Sequence, residues 1–476
     1  MLKRKITVMN IKPFFACSSL MIALVLAGCS VGPDYHGPGK TPQVNQFARL
    51  PQSGVNTAPG VARWWETLND PQLNTLIAMA LKNNPDIAIA QARLRQARAA
   101  LDGQQANEYP KLGADGAALR AKLPDSTGIT SNNPLNMYAN TFDASWELDI
   151  FGGTRRAIES ARAQAQASQE SLADTHVSIA AEVARNYLEL CGQRQQLAVL
   201  QQSIALEQQM LTLTQQRYSR GAANDSDVQR LVTQLETTRS QIPSLQNDIT
   251  NSLDTLAFLA GKTPGELDQQ LNNVMQLPTL PAQVNVGDPT TLLRQRPDVR
   301  EAERKLAASN AEIGEHIADY YPKVNFLGNL GFTSSSTGNL WQRQNLSWML
   351  VPYLQWNILD FGRIKSQVAS ARAARDEAQA SWQKSVLSAL RDANGSLSRY
   401  GQQRQTVMDL ATVTHAADRA SQLMQQRYKA GAASLIDYLD TERSRLSAQQ
   451  NQISAQTQLV TDFVAVQKSL GLGWQS

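Results

Sequence analysis

The chain has 476 residues, with 45 Lys and Arg against 41 Asp and Glu, only 6% aromatic residues and 48 glutamines. So polar and aromatic-poor a composition cannot fill several thick globular cores; it suits long thin helices that bury only stripes. Residues 1–28 hold Lys3, Arg4, Lys5 and Lys12 and no acid, and without them 41 bases face 41 acids. That balance removes the cationic excess a general nucleic-acid binder needs.

The basic start leads into an apolar run from Pro13 to Ala27, long enough for a signal-peptide core and too short to span a bilayer as a helix. It ends in Leu26-Ala27-Gly28-Cys29. Small residues before a cleavage point fit a narrow peptidase site, and a cysteine just after it supplies a thiol for lipid. The segment resembles the bacterial lipobox, which implies removal of residues 1–28 as a signal peptide and diacylglycerol on the Cys29 sulfur. Ser30 stands where an inner-membrane lipoprotein would usually show Asp, so the resemblance points to the outer membrane. Met9 is an alternative start. Cys17 leaves with the signal, so Cys191 alone remains as a thiol and no intrachain disulfide is expected.

The rest of the chain is a duplication with a period near 210 residues. Pro85-Asp86 and Tyr109-Pro110-Lys111 recur as Pro297-Asp298 and Tyr321-Pro322-Lys323; Trp146 recurs as Trp356, and Phe151-Gly152 as Phe361-Gly362. Gln215-Gln216-Arg217-Tyr218 with Gly221-Ala222-Ala223 recurs as Gln425-Gln426-Arg427-Tyr428 with Gly431-Ala432-Ala433. Each half predicts the same order of elements. A helix of about 35 residues starts near Asp70-Pro71 and again near Asp288-Pro289, where Asp caps and Pro suits the first turn. Two extended segments follow, then a very long helix, Thr154 to Ser219 and Arg363 to Lys429. A last helix runs from Asp225 to Ala260 and from Ser434 to Leu470.

The long helices carry stretches of heptad-like spacing. Val177, Ala181, Ala184, Leu188 and Cys191 alternate steps of four and three, as do Val386, Leu390, Ala393, Leu397 and Tyr400. Such spacing makes a narrow apolar seam for a partner helix. About 66 residues at about 1.5 Å each give a rod about 100 Å long.

The extended segments alternate instead. From Thr141 to Asp149 the even positions (Phe142, Ala144, Trp146, Leu148) are apolar and the odd ones polar or charged, one side suited to lipid and one to water. Val324, Phe326, Gly328, Leu330 and Phe332 alternate with Lys323, Asn325 and Asn329. The fourth segment, Ser347 to Asp360, puts Trp348, Leu350, Leu354, Trp356 and Ile358 on one face; the first, Lys111 to Arg120, is rich in Ala and Gly. Four strands cannot close a transmembrane barrel, and an open edge in lipid leaves backbone groups unsatisfied. The chain must therefore oligomerise: a dimer gives eight strands and a trimer twelve, and a barrel wide enough to continue a helical tube favours twelve.

These residues together resemble the TolC-like outer-membrane factors, in the branch of NodT-type efflux lipoproteins. Val31-Gly32-Pro33-Asp34-Tyr35 with Pro38 is similar to the family's segment after the lipidated cysteine. Trp64-Trp65 and Asp70-Pro71 with Leu73, Leu76-Ile77 and Ala80-Leu81 resemble its first helix, and Arg296-Pro297-Asp298-Val299-Arg300 with Ala302-Glu303 the start of its second half. The fold class this implies is mainly α with a membrane β-barrel: long antiparallel coiled-coil helices form a periplasmic α-barrel, and a homotrimer pools four strands per protomer into twelve. The organisation expected is a signal peptide at 1–28, a lipid-anchored segment at 29–70, a first repeat at 71–262, an inter-repeat equatorial segment at 263–288 and a second repeat at 289–476. The partners implied are a periplasmic adaptor of the membrane-fusion type, an inner-membrane pump and outer-membrane lipid, with no nucleic acid. The channel would be passive, carry small molecules such as drugs or other toxic amphiphiles, and need no cofactor beyond the lipid on Cys29.

The candidate site lies after the second Gly-Ala-Ala turn. Asp437 and Asp440 are three apart on a helix, so both carboxylates can face one direction. In a trimer they make two stacked rings of three, which attract cations and repel anions. Spacing alone favours the plainer reading of two solvated acids near a helix N-terminus, where negative charge is favourable. The resemblance implies that they form the closed periplasmic entrance, with Ile436 helping to seal it. It also implies a latch between neighbouring coils built on Tyr428 and Asp227; Ala433 stands where some members place a basic residue in that latch.

Catalysis has little to stand on: His36, His176, His316 and His415 are scattered, without a His-Glu-x-x-His motif, paired cysteines or a phosphate loop. The structural rival is a lipid-anchored periplasmic coiled-coil spacer or adaptor that never enters the bilayer. The cargo is not legible, since a wide wet tunnel needs few discriminating side chains.

Overall fold

Asp70 and Asp288 begin the two repeats as the sequence predicts. Asp70 Oδ1 accepts hydrogen bonds from the backbone N–H of Gln72 (2.9 Å) and Leu73 (3.1 Å), and Asp288 Oδ1 from those of Thr290 (2.8 Å) and Thr291 (2.9 Å). In a computed structural model the protein is described over residues 30–39, 44, 46–122, 134–273 and 276–474. The signal peptide and Cys29 lie outside the described residues.

The elements in chain order are β1 (Val55–Asn56), α1 (Pro71–Asn83), α2 (Pro85–Gln105), β2 (Lys111–Ala121), β3 (Leu135–Leu148), α3 (Gly153–Ser219), α4 (Asp225–Arg239), α5 (Ile242–Leu259) and the single turn α6 (Asp268–Leu271). There follow β4 (Val284–Asn285), α7 (Pro289–Gln295), α8 (Pro297–Ala318), β5 (Lys323–Ser334), β6 (Leu346–Gln355), α9 (Arg363–Lys429) and α10 (Leu435–Ser469). The two long helices fall where the apolar periodicity put them.

Three expectations need correcting. The first helix of each repeat is two helices, broken at Pro85 and Pro297. Proline offers no N–H and pushes the residue before it out of the helical region; Asn84 has ψ 130 and Arg296 ψ 121. The final helix of the first repeat is likewise interrupted between Arg239 and Ile242, next to Pro243, whereas α10 runs unbroken. The fourth strand stops at Gln355, so Trp356 and Ile358 lie beyond it.

The chain divides into two compact units. One draws its described residues from Met1–Lys40, Leu94–Ser168 and Ala302–Trp382, the other from Thr41–Arg93, Gln169–Glu301 and Gln383–Ser476. In the first unit the four long strands form one antiparallel sheet in the order β2-β3-β5-β6. Its register pairs even with even positions throughout: Leu112 with Ala144, Ala144 with Gly328, Gly328 with Leu350. Every even-numbered side chain therefore shares one face, because alternate residues of a strand point the same way. That face carries Leu112, Phe142, Trp146, Phe326, Leu330, Trp348, Leu350 and Leu354, and Trp348 is 76% exposed. The odd face is mixed, with Lys111, Asp115, Glu147 and Asn325 beside Met137, Leu327, Met349 and Val351; there Asp143 accepts from the Thr141 hydroxyl (2.8 Å) and Asn329 Nδ2 (2.6 Å). The repeat persists in detail, since the indole N–H of Trp146 donates to Glu108 O and that of Trp356 to Tyr320 O, each at 3.0 Å.

In the second unit the predicted seams are the core. Val177, Ala181, Ala184, Leu188, Cys191, Val386, Ala393, Leu397 and Tyr400 are buried, and Leu390 is half-buried. Burial pushes the Cys191 thiol up to about 12, so it packs as a small hydrophobe rather than a reactive group. Arg296, at the α7–α8 break, donates to Asp298 Oδ2 (2.6 Å) and to Ser469 O (2.8 Å) at the end of α10. The Arg-Pro-Asp run thus ties the start of the second repeat to its last helix. Among the described residues, no helix is long and apolar enough to cross a membrane.

Candidate functional site

The two Gln-Gln-Arg-Tyr segments end α3 and α9 in the same way. Gly221 (φ 71) and Gly431 (φ 75) adopt the left-handed conformation that spares a glycine the Cβ penalty. Gly221 N–H donates to Tyr218 O and Ala222 N–H to Arg217 O, while Gly431 N–H donates to Tyr428 O and Ala432 N–H to Arg427 O, all at 2.8–3.0 Å. The returning helices are capped at once. Asn224 and Asp227 form a reciprocal capping box, and Ser434 Oγ accepts from Asp437 N–H (3.1 Å) while donating to Asp437 Oδ2 (2.7 Å).

Behind these turns, four helices converge on one apolar cluster. Met210 and Leu211 of α3, Val228, Leu231 and Leu235 of α4, Tyr428 of α9, and Leu435, Tyr438 and Leu439 of α10 are buried together. The Tyr428 and Tyr438 rings stack at 5.7 Å between centroids and 17° between planes. The Arg217 guanidinium lies over the Tyr428 ring, 5.0 Å from its centroid, and donates to Lys429 O (3.3 Å). Burial drives the Tyr438 hydroxyl far above the ordinary tyrosine range, so it stays neutral.

Burying Leu435, Tyr438 and Leu439 turns Ile436, Asp437 and Asp440 outward on the opposite face of α10, all three exposed. The structure thus brings the three candidate entrance residues together, with Arg443 3.8 Å from Asp440. It does not join the two candidate latch residues within the chain. Asp227 spends its carboxylate on the backbone N–H of Asn224 (3.3 Å), and the Tyr428 hydroxyl lies 3.3 Å from Thr214 Oγ1 on α3.

Sequence reading missed a buried polar layer in the same coils. Glu207 Oε1 accepts from the Thr238 hydroxyl (3.0 Å) and Gln234 Nε2 (3.2 Å), while its other oxygen has no hydrogen-bond partner among the described residues. Glu442 accepts from the Ser421 hydroxyl (2.6 Å) and from Arg445 Nε (2.9 Å), with Asp418 4.0 Å from Arg445. Burial raises the Glu207 carboxyl above its usual range, and the charge of Glu442 adds to that. The available signal was a glutamate three residues before Met210 and four before Leu211, inside an apolar stripe.

In the first unit, residues 30–38 lie as an extended strap on the helices. The Arg156 guanidinium, with a side chain only 5% exposed, donates to Val31 O (3.1 Å) and Gly32 O (3.4 Å) and pairs with Asp34 (2.6 Å) and Glu159 (2.7 Å). Asn310 Nδ2 donates to Pro33 O (2.9 Å), and Tyr35 packs on Ala163, Ala307 and Ala308. The strap fits because side chains are missing beneath it: a Cβ on Gly32 would fall 2.4 Å from Gly314 Cα, and one on Gly152 2.7 Å from Ser30 Oγ. The hydrogen bond and charge of Arg156 hold the Asp34 carboxyl below the usual range.

The model of the family described as outer membrane efflux protein matches residues 76–262 and 289–472. Outer membrane protein OprJ of Pseudomonas aeruginosa is 28% identical over 474 residues, covering 97% of each chain. Nodulation protein T of Rhizobium leguminosarum bv. trifolii is 29% identical over 472 residues, again 97% of each. Among solved structures, the outer-membrane channel OprN superposes with a TM-score of 0.87 at 32% identity, covering 94% of this chain and all of that one.

Proposed function

The chain belongs to the outer membrane efflux protein family, and from that premise we propose that it is the exit duct of a tripartite efflux system, working as a homotrimer. The observation that carries this reading is the four-stranded sheet with an even face of Leu, Phe and Trp, whose edges β2 and β6 pair with no further strand among the described residues. In lipid each unsatisfied backbone group costs several kcal/mol, and bacterial barrels need about eight strands or more. Joining β2 of one copy to β6 of the next satisfies both edges three times over and leaves none. The even face, with its Leu, Phe and Trp side chains, then meets lipid, and the odd face, which carries Asp115, Asp143, Asn325 and Asn329, lines water.

Residues 1–28 are removed as a signal peptide and Cys29 carries the lipid, which ties the chain to the outer membrane. Residues 29–70, the stretch 263–288 and the C-terminal end form the equatorial region around the repeats 71–262 and 289–476. The coil ends extend into the periplasm and meet an adaptor that links them to an inner-membrane pump. Ile436, Asp437 and Asp440 form the entrance, three copies of each carboxylate making a ring that holds cations and repels anions. Tyr428 and Asp227 steady the coils around it. The duct conducts small toxic amphiphiles passively, with no catalysis and no cofactor beyond the lipid.

Membrane fractionation tests this. A heat-modifiable, SDS-resistant trimer retained in the outer membrane after Cys29→Ala is the expected result. A carbonate-extractable monomer would instead make the protein a lipid-anchored spacer.

A further inference from the structure

The Gln-Gln-Arg-Tyr motif occurs twice, yet its two copies sit differently. Within the chain, Arg217 of the first copy lies over Tyr428 of the second, 5.0 Å from its centroid, and Tyr428 is 6% exposed. The reciprocal members are left over. Tyr218 is 49% exposed, Arg427 is exposed, and among the described residues no cation–ring contact involves either. The surroundings follow the same rule: Leu213 packs against the apolar cluster, whereas its repeat equivalent Leu423 is 45% exposed.

A ring of three copies contains six coils, first-repeat and second-repeat in alternation. It therefore has two kinds of boundary, one inside each chain and one between chains. At the inner boundary an arginine from one coil end covers the tyrosine of the next. Repeat equivalence moves that geometry by 210 positions to the outer boundary. We propose that Arg427 of each copy packs over Tyr218 of the neighbouring copy, so that the exposed halves of the duplicated motif form the contact between chains at the coil ends. The chemistry suits the position: a guanidinium over an aromatic face is attracted by the ring quadrupole and gains strength when both are desolvated. The partner is thus a second copy of this chain, and the inference rests on the trimeric reading above.

Paired cysteines test it. Tyr218→Cys with Arg427→Cys, treated with a short bismaleimide in native membranes, should give covalently linked chains on a denaturing gel. Arg217→Cys with Tyr428→Cys should cross-link only within a chain and shift the monomer band. Size determination before treatment separates the two claims. A trimer of native size with no inter-chain product from the first pair overturns this contact and leaves the trimeric duct standing. A monomer before treatment overturns the trimeric duct, and the contact with it.

Discussion

The Tyr428 hydroxyl lies 3.3 Å from Thr214 Oγ1, a buried polar contact that joins the ends of the two long helices inside one chain. It sits within an otherwise apolar cluster, so each group depends on the other for a partner. An intramolecular hydrogen bond contributes about 1 kcal/mol net, and a partner left unsatisfied costs about 1–3 kcal/mol. Tyr428→Phe keeps the ring over which Arg217 lies but removes that bond, and should raise closed-state conductance in planar bilayers. Thr214→Val should do the same, and the double variant no more than either alone, because both delete one interaction. Full additivity would place the two residues in separate roles.

Asp437 and Asp440 are neighbours with different local duties. Asp437 receives the Ser434 hydroxyl and its N–H meets Ser434 Oγ, whereas Asp440 makes no such cap and only approaches Arg443. Asp440→Ala should therefore weaken block of the channel by trivalent cations while leaving thermal stability unchanged. Asp437→Ala should weaken block as well and also cost up to about 1 kcal/mol at the helix start. Undiminished block in both variants would remove these carboxylates from the entrance.

The buried Glu207 makes coil stability depend on pH. Its folded pKa lies above the unfolded value, so between the two the folded state holds the extra proton. Stability then falls as pH rises through the window just above the ordinary glutamate range. Glu207→Gln, which keeps the acceptor for Thr238 and Gln234, should flatten that slope in thermal melts taken from pH 4 upward. An unchanged slope would assign the dependence elsewhere.

Much of this architecture was legible from periodicity. The seam at Val177, Ala181, Ala184, Leu188 and Cys191 and the alternation around Phe142 to Leu148 fix which faces are apolar, and the long helices and strands followed. The helix breaks at Pro85 and Pro297 were also written in the sequence, since a proline lacks the N–H and displaces the residue before it from the helical region. The shared exposed face of Ile436, Asp437 and Asp440 could be read because three- and four-residue steps share a helix side. The contacts of Thr214 and Arg217 with Tyr428 could not, since they join residues over 200 positions apart through tertiary packing. The Arg156 strap was hidden for the same reason: nothing local marks an arginine as the partner of carbonyls 124 and 125 residues earlier.

That strap gives a further test. Arg156→Ala removes four contacts to residues 31, 32, 34 and 159 and should make the segment after Cys29 more susceptible to limited proteolysis. Arg156→Lys should restore protection only in part, because an ammonium lacks the planar fork. The Asp34 pKa is depressed in the folded chain, so its contribution is full above the ordinary aspartate value and is lost as pH falls below about 4. Equal cleavage of the parent and Arg156→Ala proteins at neutral pH would show that the strap is held by other residues.

If chains with too few strands pool them into one water-filled passage, the purified protein carries current across a planar bilayer. Discrete, cation-favouring conductance steps are the expected outcome. A bilayer that takes up the protein and stays electrically silent at all voltages would show that no such passage forms.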